Sequence, residues 1–210
     1  MLLADRSVRE YASLLASEEP APGGGSAAAL IGAVGAALTH MAGALTAGRP
    51  AYAEYSEFND TLLERTRLMR EEFLVLLDED AAAFNAMSAA YKMPKNDAVE
   101  KAARSGAIQS ALAACAETPL KIMELCANAL EITSQAVGKT NLNVVSDLGV
   151  AAVCLKAAAQ GAWLNVLINL GGFKDAVLAS RTRGRGEALF GVTAAAADGI
   201  YEAVVKACEK

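Results

Sequence analysis

Apolar residues recur along this chain at the three- and four-residue spacing of amphipathic helices, and no strand-like alternation runs for more than a few residues. The pattern predicts an all-α fold, an antiparallel bundle of long helices formed by residues 1–210 as a single domain. The predicted helices are a short one after Ser7, a long one from Glu57 to about Lys92, others over 97–117, 119–137 and 146–170, and a last one up to Lys210.

Residues that cap or break helices set these boundaries. Asp97 suits an N-cap position, and Pro94 ends the long helix. Thr118 and Pro119 are typical of a new helix start, so two helices are predicted around them. The last helix is predicted to be interrupted near Gly184 and Gly186, which would place Arg181, Arg183 and Arg185 in a solvated loop or at a subunit contact.

Two of the predicted helices carry almost no charge, over residues 26–48 and 146–170. The first is long enough to test as a membrane span, but it consists largely of Ala and Gly, and no basic cluster or aromatic belt flanks it. We therefore predict a central helix buried on all sides, with Gly32, Gly35 and Gly43 allowing close neighbours; a membrane-embedded protein is the alternative. Two such helices exceed what a small bundle usually hides, which predicts a homodimer or a higher homo-oligomer.

Composition narrows the classes of function. Hydrophobic residues make up 54% of the chain and aromatic residues only 5%, so the core must come from small aliphatic side chains at close helix separations. The formal net charge of -5 argues against nucleic acid and anionic membranes as partners. A small molecule is the favoured ligand.

The cysteines, the single histidine and the N-terminal residues limit which catalytic or metal sites the chain can form and indicate where it is located. The four cysteines have no C-x-x-C spacing and are predicted to be reduced thiols. His40 is the only histidine, so neither a His-based triad nor a multi-histidine metal site can form, and it is predicted to be a core residue. Charges at Asp5, Arg6, Arg9 and Glu10 interrupt the apolar run that a secretory signal needs, so a cytoplasmic location is expected.

A glycine-rich turn, Pro22-Gly23-Gly24-Gly25-Ser26, immediately precedes the first uncharged helix. Free backbone N–H groups and the positive end of the helix dipole would face a carboxylate, a phosphate or a polar ring edge there. The Lys-Ser/Thr ending of a P-loop is absent, which argues against a nucleotide. The alternative is structural: Ser26 caps the helix and the glycines let the chain turn.

Asp80 shares a predicted helix face with Phe84, Met87 and Tyr91, at steps of four, three and four residues. Asp78 should point elsewhere, because two residues correspond to about 200° around a helix. A carboxylate among apolar side chains loses hydration, which raises its pKa and makes it a stronger base when ionised. A structural salt bridge or a cap for another helix is the alternative interpretation.

Asp147, Asn165 and Asn169 share a face of the second uncharged helix, since whole numbers of turns separate them. Buried amides and carboxylates must be hydrogen-bonded, because an unpaired one costs about 1–3 kcal/mol. The partner is either a ligand or neighbouring backbone. Ser146 and Asp147 are also typical of a plain helix start.

Five sequence blocks together resemble the cyclodeaminase/cyclohydrolase family, which comprises the C-terminal domain of formiminotransferase-cyclodeaminase and stand-alone methenyltetrahydrofolate cyclohydrolases. In chain order the blocks are Pro22-Gly-Gly-Gly-Ser26, Asp78-Glu-Asp80-Ala-Ala-Ala-Phe84, Met93-Pro94-Lys95, Ser146-Asp147 and Asn165-Val-Leu-Ile-Asn169-Leu170. They extend over nearly the whole chain. The resemblance implies an all-helical subunit that dimerises and binds a reduced folate, with no metal and no cofactor beyond that tetrahydrofolate substrate.

The resemblance also implies roles for single residues. Asp80 matches the proton acceptor in the family's D-x-D-x-x-x-F block. The implied pocket residues are Gly23, Gly24, Gly25, Ser26, Lys95, Asn141, Ser146, Asp147, Asn165 and Asn169.

The reaction that this implies is a cyclodeamination. Asp80 removes the N10 proton of 5-formiminotetrahydrofolate, N10 attacks the formimino carbon, and ammonia leaves to give 5,10-methenyltetrahydrofolate. The first alternative is a cyclohydrolase that adds water to the methenyl compound and gives 10-formyltetrahydrofolate. An alternative of another class is a non-catalytic helical scaffold, in which the Asp and Asn side chains only join helices.

Overall fold

The computed structural model describes residues 1–209, and within that range all regular structure is helical. The six α-helices are α1 (Val8–Leu15), α2 (Gly24–Ala44), α3 (Ser56–Lys92), α4 (Ala98–Ala136), α5 (Val145–Leu170) and α6 (Ala176–Cys208). Two short 3-10 turns, Pro50–Tyr55 and Leu142–Val144, precede α3 and α5. The all-α class predicted from the sequence is confirmed.

The helices pack in two layers. Helices α2, α5 and α6 form one layer with α5 in the middle, and α3 and α4 form the other. Helices α2 and α5 run antiparallel: Gly24 and Asn165 meet at one end, and the Asn141 N–H donates to Thr46 Oγ1 at 2.8 Å at the other. Phe73 and Leu155, both fully buried, lie in the core between the layers.

Small residues on α2 set its distance from the neighbouring helices. The Phe73 ring of α3 packs directly against Gly32, in the space where a Cβ would lie. Leu62 of α3 packs against Gly43 in the same way. On the other side of α2, a Cβ on Gly35 would lie 2.8 Å from Leu155 Cγ of α5. The close approach predicted at these three glycines is confirmed.

The prediction that this helix is buried on all sides is wrong for a single chain. One face of α2 packs inward, but Val34 on its opposite face is 46% exposed. The outer face of α5 is likewise open, and Ile168 there is 79% exposed. By length and hydropathy alone, α2, α5 with its preceding 3-10 turn, and α6 are each long and apolar enough to cross a membrane. The structure therefore leaves uncharged outer faces on α2 and α5.

The predicted helix break at Thr118 and Pro119 is also wrong, since α4 runs through both residues. Proline has no N–H, so the carbonyl four residues earlier, on Cys115, lacks its usual donor within the helix. The Asn169 side chain of α5 donates to that carbonyl at 3.0 Å and replaces the missing bond. A tertiary contact thus permits a proline inside a continuous helix.

The last helix is continuous as well, contrary to the predicted interruption at its glycines. Gly186 is buried under Trp163 of α5, whose ring occupies the space where a Cβ would lie. Arg185 lies on the helix rather than in a loop, and its guanidinium pairs with Glu117 and Glu124 of α4 at 2.9 and 2.8 Å. Gly186 is therefore retained for packing, which the local sequence does not reveal.

Replacing Gly32 with alanine should destabilise the fold by about 1–3 kcal/mol, because the added methyl group overlaps the Phe73 ring and forces α2 and α3 apart. The matched control is Gly191→Ala, in the exposed part of α6 with no atom near the new methyl group. That variant should be as stable as the parent, or more stable by up to about 1 kcal/mol. Urea unfolding followed by far-UV circular dichroism measures both; equal stabilities would contradict the packing argument.

Candidate active site

A cavity of about 380 Å³ opens at the end of the bundle where α2 begins and α5 ends. The second half of α3 forms one wall through Asp80, Phe84, Met87 and Tyr91. The helix face predicted from their spacing is thus confirmed as a cavity wall. The remaining wall residues are Pro20, Ala21, Gly23 and Gly24, then Ala81, Leu112 and Cys115, then Asn165, Ile168, Asn169 and Gly172.

Asp80 is held against the first turn of α2. Its Oδ2 accepts hydrogen bonds from the Ser26 backbone N–H at 2.8 Å and from the Ser26 hydroxyl at 3.3 Å. The same hydroxyl contacts the Leu77 carbonyl at 2.8 Å. Helix α2 has no side-chain cap of its own, so the Asp80 carboxylate supplies the negative charge that its N-terminus favours. Ser26 therefore binds Asp80 rather than capping α2 with its own side chain.

Gly25 allows this contact. The Asp80 carboxyl group fills the space where a Cβ on Gly25 would lie, so any larger residue there would displace the carboxylate. Gly24 is nearly as constrained, because its Cβ would lie 3.1 Å from Asn165 Nδ2. Two of the three predicted glycines are thus needed for close approach of side chains, and Gly23 has open space beside it.

Burial raises the pKa of Asp80 above its ordinary value, and the hydrogen bonds from Ser26 lower it only in part. Burial dominates because little water reaches a carboxylate enclosed by helices α1 to α4. The loss of hydration predicted from the sequence is confirmed. A carboxylate in this state is a stronger base than one in water, and it keeps one oxygen free of the Ser26 bonds.

Two amides of α5 lie across the cavity from the carboxylate. Asn165 donates through Nδ2 to the Gly161 carbonyl at 2.9 Å. Asn169 donates through Nδ2 to the carbonyls of Cys115 and Asn165, at 3.0 and 2.8 Å. Both side chains are oriented by backbone groups, and in residues 1–209 neither Oδ1 accepts a protein hydrogen bond. These oxygens are therefore free to accept from a ligand.

Two residues near Asp80 were not identified from the sequence. Burial and the Asp80 charge raise the pKa of Cys115 to about 11, which keeps the thiol neutral. They raise the pKa of Tyr11 to about 12, and its buried hydroxyl has no hydrogen-bond partner within residues 1–209. Only the apolar helix spacing marked these positions, and spacing gives no sign that α1 and α4 meet at this carboxylate.

Lys95 lies outside the cavity, in a groove of about 370 Å³ that also contains Lys101, Arg104 and Lys174. None of these four cations forms an ion pair within the described part of the chain. The groove adjoins the cavity, because Arg104 stacks over the ring of Tyr91 with the guanidinium 5.8 Å from the ring centre. A positively charged groove therefore borders the cavity wall at Tyr91.

The remaining predicted pocket residues, Asn141, Ser146 and Asp147, lie at the opposite end of the bundle. Asn141 is buried and donates to the Leu45 carbonyl at 3.3 Å. Ser146 is exposed and Asp147 half-buried, in the first turn of α5. Eighteen helical residues separate Asp147 from Asn165, which corresponds to about 27 Å. Within one chain these three residues do not reach the cavity.

The other candidates are structural. Asp78 points away from the cavity, as predicted, and accepts from the Leu3 N–H at 2.6 Å. His40 contacts Thr66 through Nδ1 and Oγ1 at 3.0 Å, as expected for a core histidine with a satisfied ring nitrogen. The four cysteines are free thiols, as predicted.

Replacing Asp80 with asparagine should stabilise the fold at neutral pH. The folded-state pKa of Asp80 lies above the unfolded value of about 3.9, so the ionised native state carries a desolvation cost that the amide removes. That difference is fully present above the raised pKa and disappears as the pH falls through it towards the unfolded value. Urea unfolding of both proteins at pH 8 and pH 4 measures it. A parent protein more stable than the variant at pH 8 would contradict the burial argument.

Comparison with known proteins identifies the family of this chain. A sequence model described as formiminotransferase-cyclodeaminase matches residues 7–188. Over 203 residues the chain is 36% identical to the methenyltetrahydrofolate cyclohydrolase of Methylorubrum extorquens, with 97% of this chain and 98% of that protein covered. Over 183 residues it is 36% identical to the formimidoyltransferase-cyclodeaminase of Rattus norvegicus, with 87% of this chain but only 34% of that longer protein covered.

A solved structure is similar over the full length. The crystal structure of formiminotetrahydrofolate cyclodeaminase from Thermotoga maritima superposes with a TM-score of 0.82 at 25% identity, covering 98% of this chain and 96% of that one. The sequence matches and this structural match agree with the resemblance carried by the five sequence blocks. The chain belongs to the formiminotransferase-cyclodeaminase family.

Proposed function

We propose that this protein is a formiminotetrahydrofolate cyclodeaminase, which converts 5-formiminotetrahydrofolate to 5,10-methenyltetrahydrofolate and ammonia. The observation that carries the proposal is the Asp80 carboxylate, poorly hydrated and held at 2.8 Å from the Ser26 N–H in the wall of a cavity. The names of the relatives support the same substrate class. A lone carboxylate suffices for this reaction, because the same proton can be taken from one nitrogen and given to another.

In the proposed mechanism, N10 attacks the carbon of the protonated formimino group, and a new N10–C bond forms. Asp80 accepts the proton that N10 loses and then gives it to the formimino nitrogen. The C–N bond to that nitrogen breaks, ammonia leaves, and the positive charge remains on the N5–C–N10 bridge of the methenyl product. Holding N10 and the formimino carbon in contact supplies much of the rate, since well-oriented groups react far faster than free ones.

The cavity complements a reduced pterin. Phe84 and Met87 provide an apolar wall, and the Oδ1 atoms of Asn165 and Asn169 provide acceptors for ring N–H groups. The cationic groove around Lys95 complements the glutamate carboxylates that every folate carries. The pterin ring would then bind in the cavity and the glutamate tail in the cationic groove.

Cyclohydrolase activity is the second candidate. The Methylorubrum extorquens protein, which matches this chain over almost its full length, is named for that activity. The same pocket would hold 5,10-methenyltetrahydrofolate, and Asp80 would take a proton from the water that attacks the bridging carbon. The two reactions share the methenyl compound, so the geometry of the cavity is compatible with both.

The decisive measurement is the methenyl absorbance of the purified protein with each substrate in turn. Formation from 5-formiminotetrahydrofolate identifies a cyclodeaminase, and loss of added methenyl compound identifies a cyclohydrolase. Asp80→Asn should lower turnover at least about a hundredfold while the fold is retained. The matched control is Glu79→Gln, on the exposed side of the same helix, which should retain full activity. Absence of turnover of either substrate, together with no binding of a reduced folate at millimolar concentration in calorimetry, would favour the scaffold alternative.

We also propose that the chain forms a homodimer through the outer faces of α2 and α5. These faces expose Ile31 and Val34 on α2 and Leu164 and Ile168 on α5, and apolar surface of this extent favours association. The two helices lie about 10 Å apart and are at least about 30 Å long, so their combined face approaches the roughly 800 Å² that each partner buries in a stable complex.

Light scattering on a size-exclusion column should give twice the chain mass of 21.7 kDa at micromolar concentration. Val34→Glu should yield the monomer, because the dimer would bury an unpaired charge. The matched control is Val177→Glu, at a more exposed apolar position on α6 that lies outside this face, and it should remain dimeric. A parent protein that runs as a monomer would overturn the homodimer.

A further inference from the structure

The outward side of α5 forms one uncharged stripe along the whole helix. Its exposed positions recur every three or four residues from Ser146 to Ile168, and they include Val150, Ala157 and Leu164. No exposed position between these ends carries a charged side chain. Such a stripe is suited to packing against another uncharged helix.

The outer positions of the stripe are symmetric about Ala157. Ser146 precedes Ala157 by eleven residues and Ile168 follows it by eleven, while Val150 and Leu164 are each seven residues away. If two copies of α5 lie antiparallel, with a two-fold axis between them that is perpendicular to both and level with Ala157, Ser146 meets Ile168 and Val150 meets Leu164, while Val153 and Gln160 meet half-buried uncharged positions. The small side chain at the centre allows the two helices to approach closely.

The cavity opens at one end of this stripe. Ile168 belongs both to the stripe and to the cavity wall. The other end carries Ser146 and Asp147, the motif residues that lie far from the cavity in their own chain. Asp147 precedes Ala157 by about 15 Å and Asn165 follows it by about 12 Å, at 1.5 Å per residue. The two-fold axis therefore places the N-terminal end of α5 in one chain next to the C-terminal end of α5 in the other.

We propose that a second copy of this chain completes each active site, with Asp147 of the partner subunit facing Asn165 and Asn169. In the antiparallel register, Asp147 of the partner subunit lies level with Leu167, between the two amides. Asp147 forms no ion pair within residues 1–209, so its charge is available to a ligand. The proposal rests on the folate substrate and the homodimer proposed above.

The chemistry that Asp147 adds is recognition of the pterin ring. The 2-amino-4-oxopyrimidine edge of a pterin presents two adjacent N–H donors, which match the two oxygens of a carboxylate. Asp147 of the partner subunit thus acts as a positioning residue, which holds the ring while Asp80 moves the proton. Its loss should raise KM more than it lowers kcat, because the ring is bound in the ground state and the transition state alike.

Cross-linking tests the arrangement without any activity. In the variant carrying both Ser146→Cys and Ile168→Cys, a short bismaleimide should join the two copies, since each new thiol faces the other type across the interface. The single variants and the parent, whose own Cys208 is exposed, should not be joined. A two-fold axis parallel to the helices would keep both cavities at the same end of the dimer and would place each new thiol opposite its own copy, so the single variants would then be joined, which would equally overturn the proposed register. Failure of the double variant to cross-link would overturn the proposed register.

Mixed dimers test the shared site. One copy carrying Asp80→Asn and one carrying Asp147→Asn, each with its own affinity tag, should form a dimer with about half of the parent activity, because one site then has both carboxylates. The matched control places both substitutions in one copy beside an unmodified copy. With substrate well below the parent KM, that dimer should be nearly inactive, since one of its sites lacks Asp80 and the other lacks Asp147.

The two dimers distinguish the possible failures. If each site lies within one chain, the activities are reversed: the doubly substituted copy leaves its partner active, and the mixed pair is inactive. Unchanged KM and kcat in the Asp147→Asn homodimer would also overturn the role of Asp147. Absence of folate turnover in the parent would count against the proposed function and leave the cross-linking result to decide the register.

Discussion

The carboxylate of Asp80 depends on the start of α2, and much of the architecture serves that contact. Ser26 supplies an N–H and a hydroxyl, and Gly25 leaves the space that the carboxyl group occupies. The contact requires α2 and α3 to lie close together, which Gly32 permits by accommodating Phe73. The abundance of small residues and the presence of a buried acid are therefore linked, because bulkier helices would separate the acid from its donors.

The site balances two opposing electrostatic effects on one group. Burial raises the pKa of Asp80, while the bonds from Ser26 at the positive end of α2 stabilise the ionised form. Full burial without the helix end would keep the acid protonated and useless as a base. Full exposure would leave it a weak base, since water stabilises the anion. Holding one oxygen on Ser26 and leaving the other towards the cavity gives an ionised carboxylate that still gains from accepting a proton.

Sequence reasoning succeeded where the deciding interaction is local. The stripe that contains Asp80 and Phe84 follows from helical spacing alone, and so does the direction of Asp78. It failed where a distant side chain compensates for a local defect. Pro119 should end a helix, but Asn169 donates to the carbonyl that the proline leaves free, and Gly186 should weaken α6, but Trp163 packs into the space it leaves. Neither partner can be identified from a window around the residue it supports.

Two remaining discrepancies point to a common cause. The first uncharged helix, α2, was expected to be buried on all sides, yet its outer face is open in the single chain. Asp147 was expected at the site, yet it lies about 27 Å along α5 from Asn165. Both discrepancies concern parts of the chain that a second copy would cover. A helix whose solvent-facing side is uncharged from end to end gains free energy when a second such face covers it. An antiparallel copy packed on the outer faces of α2 and α5, as proposed, would cover the open surface. It would also bring the unused polar motif of one chain to the cavity of the other, because the cavity and the motif lie at opposite ends of α5.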